Sequence, residues 1–388
     1  MQSMEPEPYI PLRVTDLVDV LLHEVGTPET PSLAAEQHDD VRKLAAILTR
    51  RIQTAYHSLH KTLTDTYAPF DPDAETLRLR ELGDDRHDHL NQLYRSFAVL
   101  LERGGFHRMD RAEMEATMQG ASFWGIEMDV CWEVFDRVEV FVRGRGITWR
   151  TRRPWYRFFK VQDVELPTFR RVVMIMKLQP HKRLGRNADT VNVFLKIFKN
   201  IPTMDVEMLM PGTRLRMPKL ERGKLGGTTF ATFAWLAWKL IPILTTGFLA
   251  GGLLALLTPL FLILGYSYKT VYRFHVSKKN YMLQLTQSLY YQNLDSNAGV
   301  LHRLFDEAAE QDVRQTLLAY FFLWRFAGHD GWTVKELDLA IENDLERRVG
   351  AKIEVDTAQA VARLAKLELA TVNEGRWTVK PLAEAVAA

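Results

Sequence analysis

The sequence predicts an α+β multidomain membrane protein, and three observations lead to this fold class. The chain has 388 residues, which at roughly 150 per domain predicts two to three domains. Residues 225–268 carry a single charge, Lys239. Helical spacing of apolar residues dominates both ends of the chain, whereas residues 136–224 alternate as strands do. We therefore predict an N-terminal helical domain, a small antiparallel β-region, an α-helical transmembrane hairpin and a C-terminal helical, winged-helix-like domain.

Composition and charge narrow the class of protein. The chain is 47% hydrophobic and 25% charged, which excludes a largely disordered protein. Its net charge of +2 is unevenly distributed along the sequence: the net charge is −12 in residues 1–142, +14 in residues 143–224 and zero in residues 225–388. The predicted regions are an acidic helical domain (residues 1–135), a basic β-rich region (136–224), the transmembrane hairpin (225–270), a helical connector (271–311) and the winged-helix-like domain (312–388).

The N-terminal domain is predicted to be helical. Apolar residues recur at intervals of three and four residues in residues 14–23 and 39–67, which predicts two helices. The prolines of residues 67–73 end the second helix. Further helices are predicted at residues 90–102, 111–120 and 127–135.

Metal ligation is considered at two places in this domain. His57 and His60 lie three apart on one predicted helix, and residues 84–89 cluster acids with imidazoles. We interpret both as solvated polar surface, and we predict no metal site and no cofactor. Cys131, the one cysteine, excludes an internal disulfide and a cysteine-rich zinc site. It has apolar neighbours and no histidine close in sequence, which predicts an inert buried thiol.

The basic region is predicted to be a small antiparallel sheet. Residues 138–143 and 147–152 alternate around a predicted turn at residues 144–146, and strands are also predicted at residues 169–178, 191–198, 206–210 and 213–217. Next to a membrane span, its cationic surface would contact anionic lipid headgroups. Nucleic acid or an acidic protein surface are the alternatives, and we do not expect nucleic acid as a partner.

The apolar stretch is predicted to form two spans, about residues 228–246 and 248–268, because about 20 helical residues cross a bilayer. Lys239 in the first limb leaves two alternatives open: one span at about residues 243–268 behind an interfacial aromatic helix, or a hairpin buried in a soluble core. Basic residues at both outer ends place the flanking domains on the cytoplasmic side. The predicted membrane- or lipid-facing residues are Arg214, Arg216, Lys219, Arg222, Lys224, Lys239, Lys269 and Arg273.

The sequence predicts a winged helix in the C-terminal region. Helices are predicted at residues 276–294, 300–311, 313–326 and 356–368, and another begins at Thr333, with Glu336 in the capping-box position. Residues 369–372 and 376–379 would form the wing. The third helix of the winged helix offers only Arg363 and Lys366 for phosphate contacts, which favours a protein partner over DNA.

Motifs of common enzymes are missing from the sequence, including the dinucleotide-binding and P-loop glycine patterns, the GxSxG elbow and the kinase set. No catalytic or cofactor-binding residue is therefore predicted.

Several stretches together resemble the transmembrane protein 143-like family, membrane proteins that contain a domain of unknown function. They are residues 9–17, 67–73, 135–144, 194–202, 205–212, 289–301 and 318–323. The resemblance implies an integral membrane protein with two spans, and it implies no reaction or cofactor. The N-terminus resembles neither a signal peptide nor a transit peptide, which favours a bacterial plasma membrane, or a mitochondrial membrane in a eukaryote.

The function predicted from these observations is that of a non-enzymatic membrane-anchored adaptor, with both soluble parts on the cytoplasmic face and an unknown protein partner at the C-terminal domain. A lipid-headgroup-binding or lipid-handling protein is the alternative. A membrane-tethered DNA-binding regulator is the weaker alternative.

Overall fold

A computed structural model describes residues 6–23, 33–75, 85–118, 127–152, 162–216, 290–350 and 352–387, together with residues 268, 272, 276, 279 and 283. The helices are α1 (Val14–Leu22), α2 (Ala35–Tyr67), α3 (Arg86–Arg103), α4 (Arg111–Met118), α5 (Ala298–Phe326), α6 (Val334–Val349), α7 (Thr357–Lys366) and α8 (Leu382–Ala387). The strands are β1 (His107–Met109), β2 (Glu127–Asp129), β3 (Phe135–Arg152), β4 (Gln162–Leu178), β5 (Val193–Pro202), β6 (Arg214–Arg216), β7 (Asn293–Ser296), β8 (Ala370–Asn373) and β9 (Arg376–Val379).

The centre of the fold is a five-stranded antiparallel sheet in the order β1-β3-β4-β5-β7. β3 and β4 pair along their whole length, from Phe135 opposite Leu178 to Arg152 opposite Gln162. β5 pairs with β4 only as far as Thr168, so the distal parts of β3 and β4 form a two-stranded arm. Ile147 and Trp149 are exposed on this arm.

The two faces of the sheet bury different side chains, as strand alternation requires. Phe141, Val173 and Ile175 pack in one core with α2, α3 and the first half of α5. Val140, Val172 and Met174 face the other way, toward α4 and a 3₁₀ segment at Thr203–Leu209. The sheet is therefore covered on both faces.

A third core lies at the other end of α2 and α5. Residues from α1 and the first half of α2 pack there with the second half of α5 and with α6, α7 and α8. α5, an isolated bridge between Trp332 and Trp377, α6, α7 and the β8-β9 hairpin follow the order of a winged helix. The predicted capping box is confirmed: Glu336 N–H donates to Thr333 Oγ1 at 3.3 Å, and Thr333 N–H donates to Glu336 Oε2 at 2.8 Å.

One finding corrects the prediction of a membrane protein. In the part of the chain that the structure describes, no helix is long and apolar enough to cross a bilayer. The two longest helices with described bounds, α2 and α5, carry charged residues along their length and bury their apolar residues against the protein's own cores. The finding contradicts the transmembrane fold class and the multi-pass location in a bacterial plasma or mitochondrial membrane. The predicted spans at 228–246 and 248–268 lie outside the described residues, except Tyr268.

Several predicted elements also differ in detail. The turn predicted at residues 144–146 is wrong, because β3 runs straight through it. Gly144, at φ +71°, is an irregularity within the strand. Residues 206–210 lie in the 3₁₀ segment, and residues 127–135 hold β2 and a 3₁₀ turn at Trp132–Val134. The two helices predicted at 300–311 and 313–326 are one helix, α5.

Candidate binding cleft

A belt of polar side chains crosses the middle of α5, where the helix passes from one core to the other. Its members are buried even though they are polar or charged: Gln311, Asp312, Arg314, Gln315 and Thr316. Buried polar groups need hydrogen-bond partners, because an unpaired one costs about 1–3 kcal/mol. Several of the partners come from elements far away in sequence.

Asp312 is the centre of this belt. The Tyr56 hydroxyl on α2 donates to its Oδ2 at 2.7 Å, and Arg363 Nη2 on α7 lies 2.7 Å from its Oδ1. Arg363 Nη1 also donates to Thr316 Oγ1 at 3.2 Å. One carboxylate thus connects α2, α5 and α7.

Burial shifts the pKa values of both Asp312 and Tyr56. It raises the pKa of the Asp312 carboxyl, against the opposing effects of Arg363, the Tyr56 hydrogen bond and Arg103. Burial also raises the pKa of the Tyr56 phenol, and the nearby Asp312 charge adds to the effect. Tyr56 therefore remains a neutral hydrogen-bond donor at physiological pH.

A cleft opens on both sides of Asp312. We call its first half the basic chamber; it has a volume of about 390 Å³. Its charged residues are four cations and one carboxylate, an excess of three positive charges: Arg51, Arg103, Arg363, Lys366 and Asp312. Its other wall is partly apolar, with Ile52, Leu59, Ala362 and Leu367 among the lining residues.

The second half, the acidic chamber, has a volume of about 780 Å³ and the opposite balance. It shares Arg103, Asp312 and Arg363 with the basic chamber, and its other charged residues are all acidic: Glu102, Asp338, Glu354 and Asp356. Because a cleft lined by one sign of charge attracts the other, the two chambers favour ligands of opposite charge.

Helix geometry explains why the cations meet. Arg363 and Lys366 are three residues apart on α7 and so lie on one face, while Ala360, Val361 and Leu364 on the other face enter the core. Arg103 is the last residue of α3. Arg51 donates to the Leu367 carbonyl at 3.4 Å, which joins α2 to the end of α7.

The residues predicted to face lipid are placed differently. Arg214 and Arg216 lie in β6, opposite Asp129 and Glu127 of β2. Lys219, Arg222, Lys224, Lys239, Lys269 and Arg273 lie outside the described residues. None of these residues lines the cleft as far as the structure describes it. The anionic-lipid partner remains a prediction from sequence.

The histidines considered as metal ligands have other contacts. The His60 ring lies 4.6 Å from the His302 ring and 4.7 Å from the Phe305 ring, centroid to centroid. Burial lowers the pKa of His60, which disfavours its charged form. In the 84–89 cluster, His89 Nδ1 lies 2.9 Å from the Asp85 carbonyl, a contact within one helical turn.

Sequence reasoning noted Arg363 and Lys366 but missed Arg51, Arg103 and Asp312. Asp312 follows two other polar residues, Glu310 and Gln311, and three consecutive polar residues are typical of the end of a helix. The available signal was the apolar spacing on both sides of that run, which continues one helical face from residue 300 to residue 323.

Comparison with known proteins adds one assignment. Residues 136–299 match a family described as "Protein of unknown function (DUF3754)". The chain thus contains a domain of unknown function, which includes β3, β4, β5, β6 and β7 but not the cleft residues. No solved structure matches the chain.

Proposed function

We propose that this protein is a non-enzymatic adaptor that binds an acidic segment of a protein partner in the basic chamber. The observation that carries the proposal is the convergence of Arg51, Arg103, Arg363 and Lys366 around a single carboxylate. Arg363 and Tyr56 contact that carboxylate, and Arg51, Arg103 and Lys366 line the same chamber.

The lining also supports a peptide rather than a bare inorganic anion. Ile52, Leu59 and Leu367 line the same chamber as the cations. A segment that alternates carboxylates with apolar side chains would satisfy both surfaces. Tight sites of this kind combine an apolar wall with a few placed polar groups.

The packing of α7 favours this use over DNA binding. In a DNA-reading winged helix, the third helix presents its cations to the major groove. Here Arg363 is 18% exposed and paired with Asp312, and its neighbour Lys366 lines the chamber. The two cations that sequence analysis assigned to possible phosphate contacts are therefore directed into the protein's own cleft.

The test is a titration of the full chain with a fluorescein-labelled peptide of alternating Glu and Leu. We expect binding that weakens as salt is added, because exposed charge pairs are screened. Lys366→Ala should weaken binding about 5- to 10-fold, since losing a charge-assisted hydrogen bond costs on the order of 1 kcal/mol or more. Lys335→Ala is the matched control, because Lys335 is exposed on α6 and does not line the basic chamber.

Equal affinity for the Lys366→Ala variant and the unaltered protein would refute the proposal, as would an equal loss in both lysine variants. If inorganic phosphate at the same concentration as the peptide displaces the peptide, the proposal is also refuted, because the chamber then binds a small anion rather than a peptide.

A further inference from the structure

Three side chains of the types that can bind a metal ion lie together at the end of the sheet, away from the cleft. Cys131 directly precedes the 3₁₀ turn Trp132–Val134, which contains Glu133, and His181 follows the end of β4. One ligand atom from each, the thiol sulfur, a carboxylate oxygen and a ring nitrogen, lies within 4.8 Å of the other two. His181 Nε2 is 3.7 Å from Glu133 Oε2.

Backbone hydrogen bonds hold the two segments in place. Gln179 N–H donates to the Val134 carbonyl at 2.9 Å, and the Gln179 side-chain amide donates to the Glu133 carbonyl at 2.8 Å. Arg183 Nη2 bonds Asp129 Oδ2 at 2.9 Å, which ties the turn after β4 to the end of β2. The three side chains therefore meet on a frame that does not depend on a bound ion.

From this geometry we propose that Cys131, Glu133 and His181 bind a zinc ion. Thiolate, imidazole and carboxylate are the three side-chain ligands that Zn²⁺ uses, and the sulfur disfavours Mg²⁺ and Ca²⁺, which take oxygen ligands. Three protein ligands leave the fourth tetrahedral position for water or an exchangeable ligand. Cys131 is buried, His181 is partly buried and the Glu133 side chain is 84% exposed, so the ion enters from solvent.

Binding exchanges protons for the metal. The Cys131 thiol releases its proton to solvent as the zinc–sulfur bond forms. His181 Nδ1 accepts the Arg183 N–H at 3.2 Å, so in the neutral ring Nε2 carries the proton that faces Glu133. Coordination through Nε2 moves that proton to Nδ1 and breaks the bond from Arg183.

The test uses Co²⁺ as a spectroscopic substitute for Zn²⁺ on the reduced full chain. Cys131 is the one cysteine, so a thiolate-to-cobalt charge-transfer band reports on this site alone. We expect the band to saturate at one ion per chain and to disappear when Zn²⁺ is added. Glu133→Gln should weaken Co²⁺ binding at least about 10-fold. His107→Gln is the matched control, because His107 Nε2 pairs with Glu113 at 3.0 Å on the surface without a thiol.

Several results would overturn the zinc site. They are the absence of the band from the unaltered protein, a band that persists in Cys131→Ser, and an equal loss of affinity in Glu133→Gln and His107→Gln. Misfolding does not confuse the decisive comparison, because Glu133 is on the surface. The site belongs to the core on the α4 side of the sheet, so its failure would leave the proposal for the cleft untouched.

Discussion

Asp312 shows how one residue organises the cleft. A buried carboxylate is costly unless it is paired, and removing one partner of a buried pair costs about 3–5 kcal/mol. Truncation of Arg363 would therefore damage the fold along with any binding. Lys366 is exposed and lines the same chamber, so its loss reports on the ligand rather than on stability.

Glu207 provides a second prediction at the scale of the residue. Burial, helped by neighbouring Asp205, raises the pKa of its carboxyl from 4.5 to about 7. The folded protein then keeps a proton that the unfolded chain releases, so this residue makes the protein lose stability as pH rises from 4.5 to about 7. Glu207→Gln should remove that loss and be more stable than the unaltered protein at about pH 8, by on the order of 2 kcal/mol.

Urea unfolding of both proteins across this pH range measures the effect. The difference in the free energy of unfolding should grow through the range and then level off. A difference that is the same at every pH would show that Glu207 does not titrate as described.

Local and distant residue pairs differ in what sequence could predict. The Thr333–Glu336 capping box was predictable because its members are three residues apart on one helical turn. Cys131 was interpreted as an inert thiol because no histidine is close to it in sequence. His181 reaches it only through the pairing of β3 with β4, which brings residues near 134 beside residue 179.

At the scale of the element, β3 depends on the backbone of Gly144. Its φ of +71° is unfavourable for a residue with a side chain, and an added Cβ would lie 2.9 Å from Arg170 Cδ. Gly144→Ala should therefore lower the free energy of unfolding by roughly 1–2 kcal/mol. Gly146→Ala is the control, because its added Cβ would come no closer than 3.7 Å to a neighbouring atom.

Urea midpoints of the two glycine variants separate strain from a general effect of added side chains. The free energy of unfolding of Gly146→Ala should stay within about 0.5 kcal/mol of that of the unaltered protein, because the added Cβ meets no close neighbour. Equal destabilisation by both substitutions would contradict the assigned role of Gly144.

α5 illustrates why periodicity predicted helices but not their continuity. Its apolar residues repeat correctly on both sides of residue 312, so helix was predicted in both halves. The polar run between them resembles a boundary, because local sequence gives no sign of partners. Those partners, Tyr56 and Arg363, lie on α2 and α7.

The whole molecule is built around the two helices that run through more than one core. α2 and α5 contribute to the core under the sheet and also to the core of the C-terminal helices. The N-terminal segment is tied to the loop between α6 and α7, since Glu7 N–H donates to the Lys352 carbonyl and the Glu7 carbonyl accepts from Glu354 N–H, each at 3.0 Å. The cleft lies where the cores meet, which sequence segments considered separately could not predict.

The most direct test of the account is photo-cross-linking inside the basic chamber. A benzophenone amino acid replaces Ala362, which lines the chamber and is exposed, and in a control protein it replaces Leu339, which is exposed on α6. The account predicts that the acidic Glu-Leu peptide cross-links at position 362 and not at position 339, and that added salt abolishes the product. Equal cross-linking at both positions, or none at position 362, would contradict it.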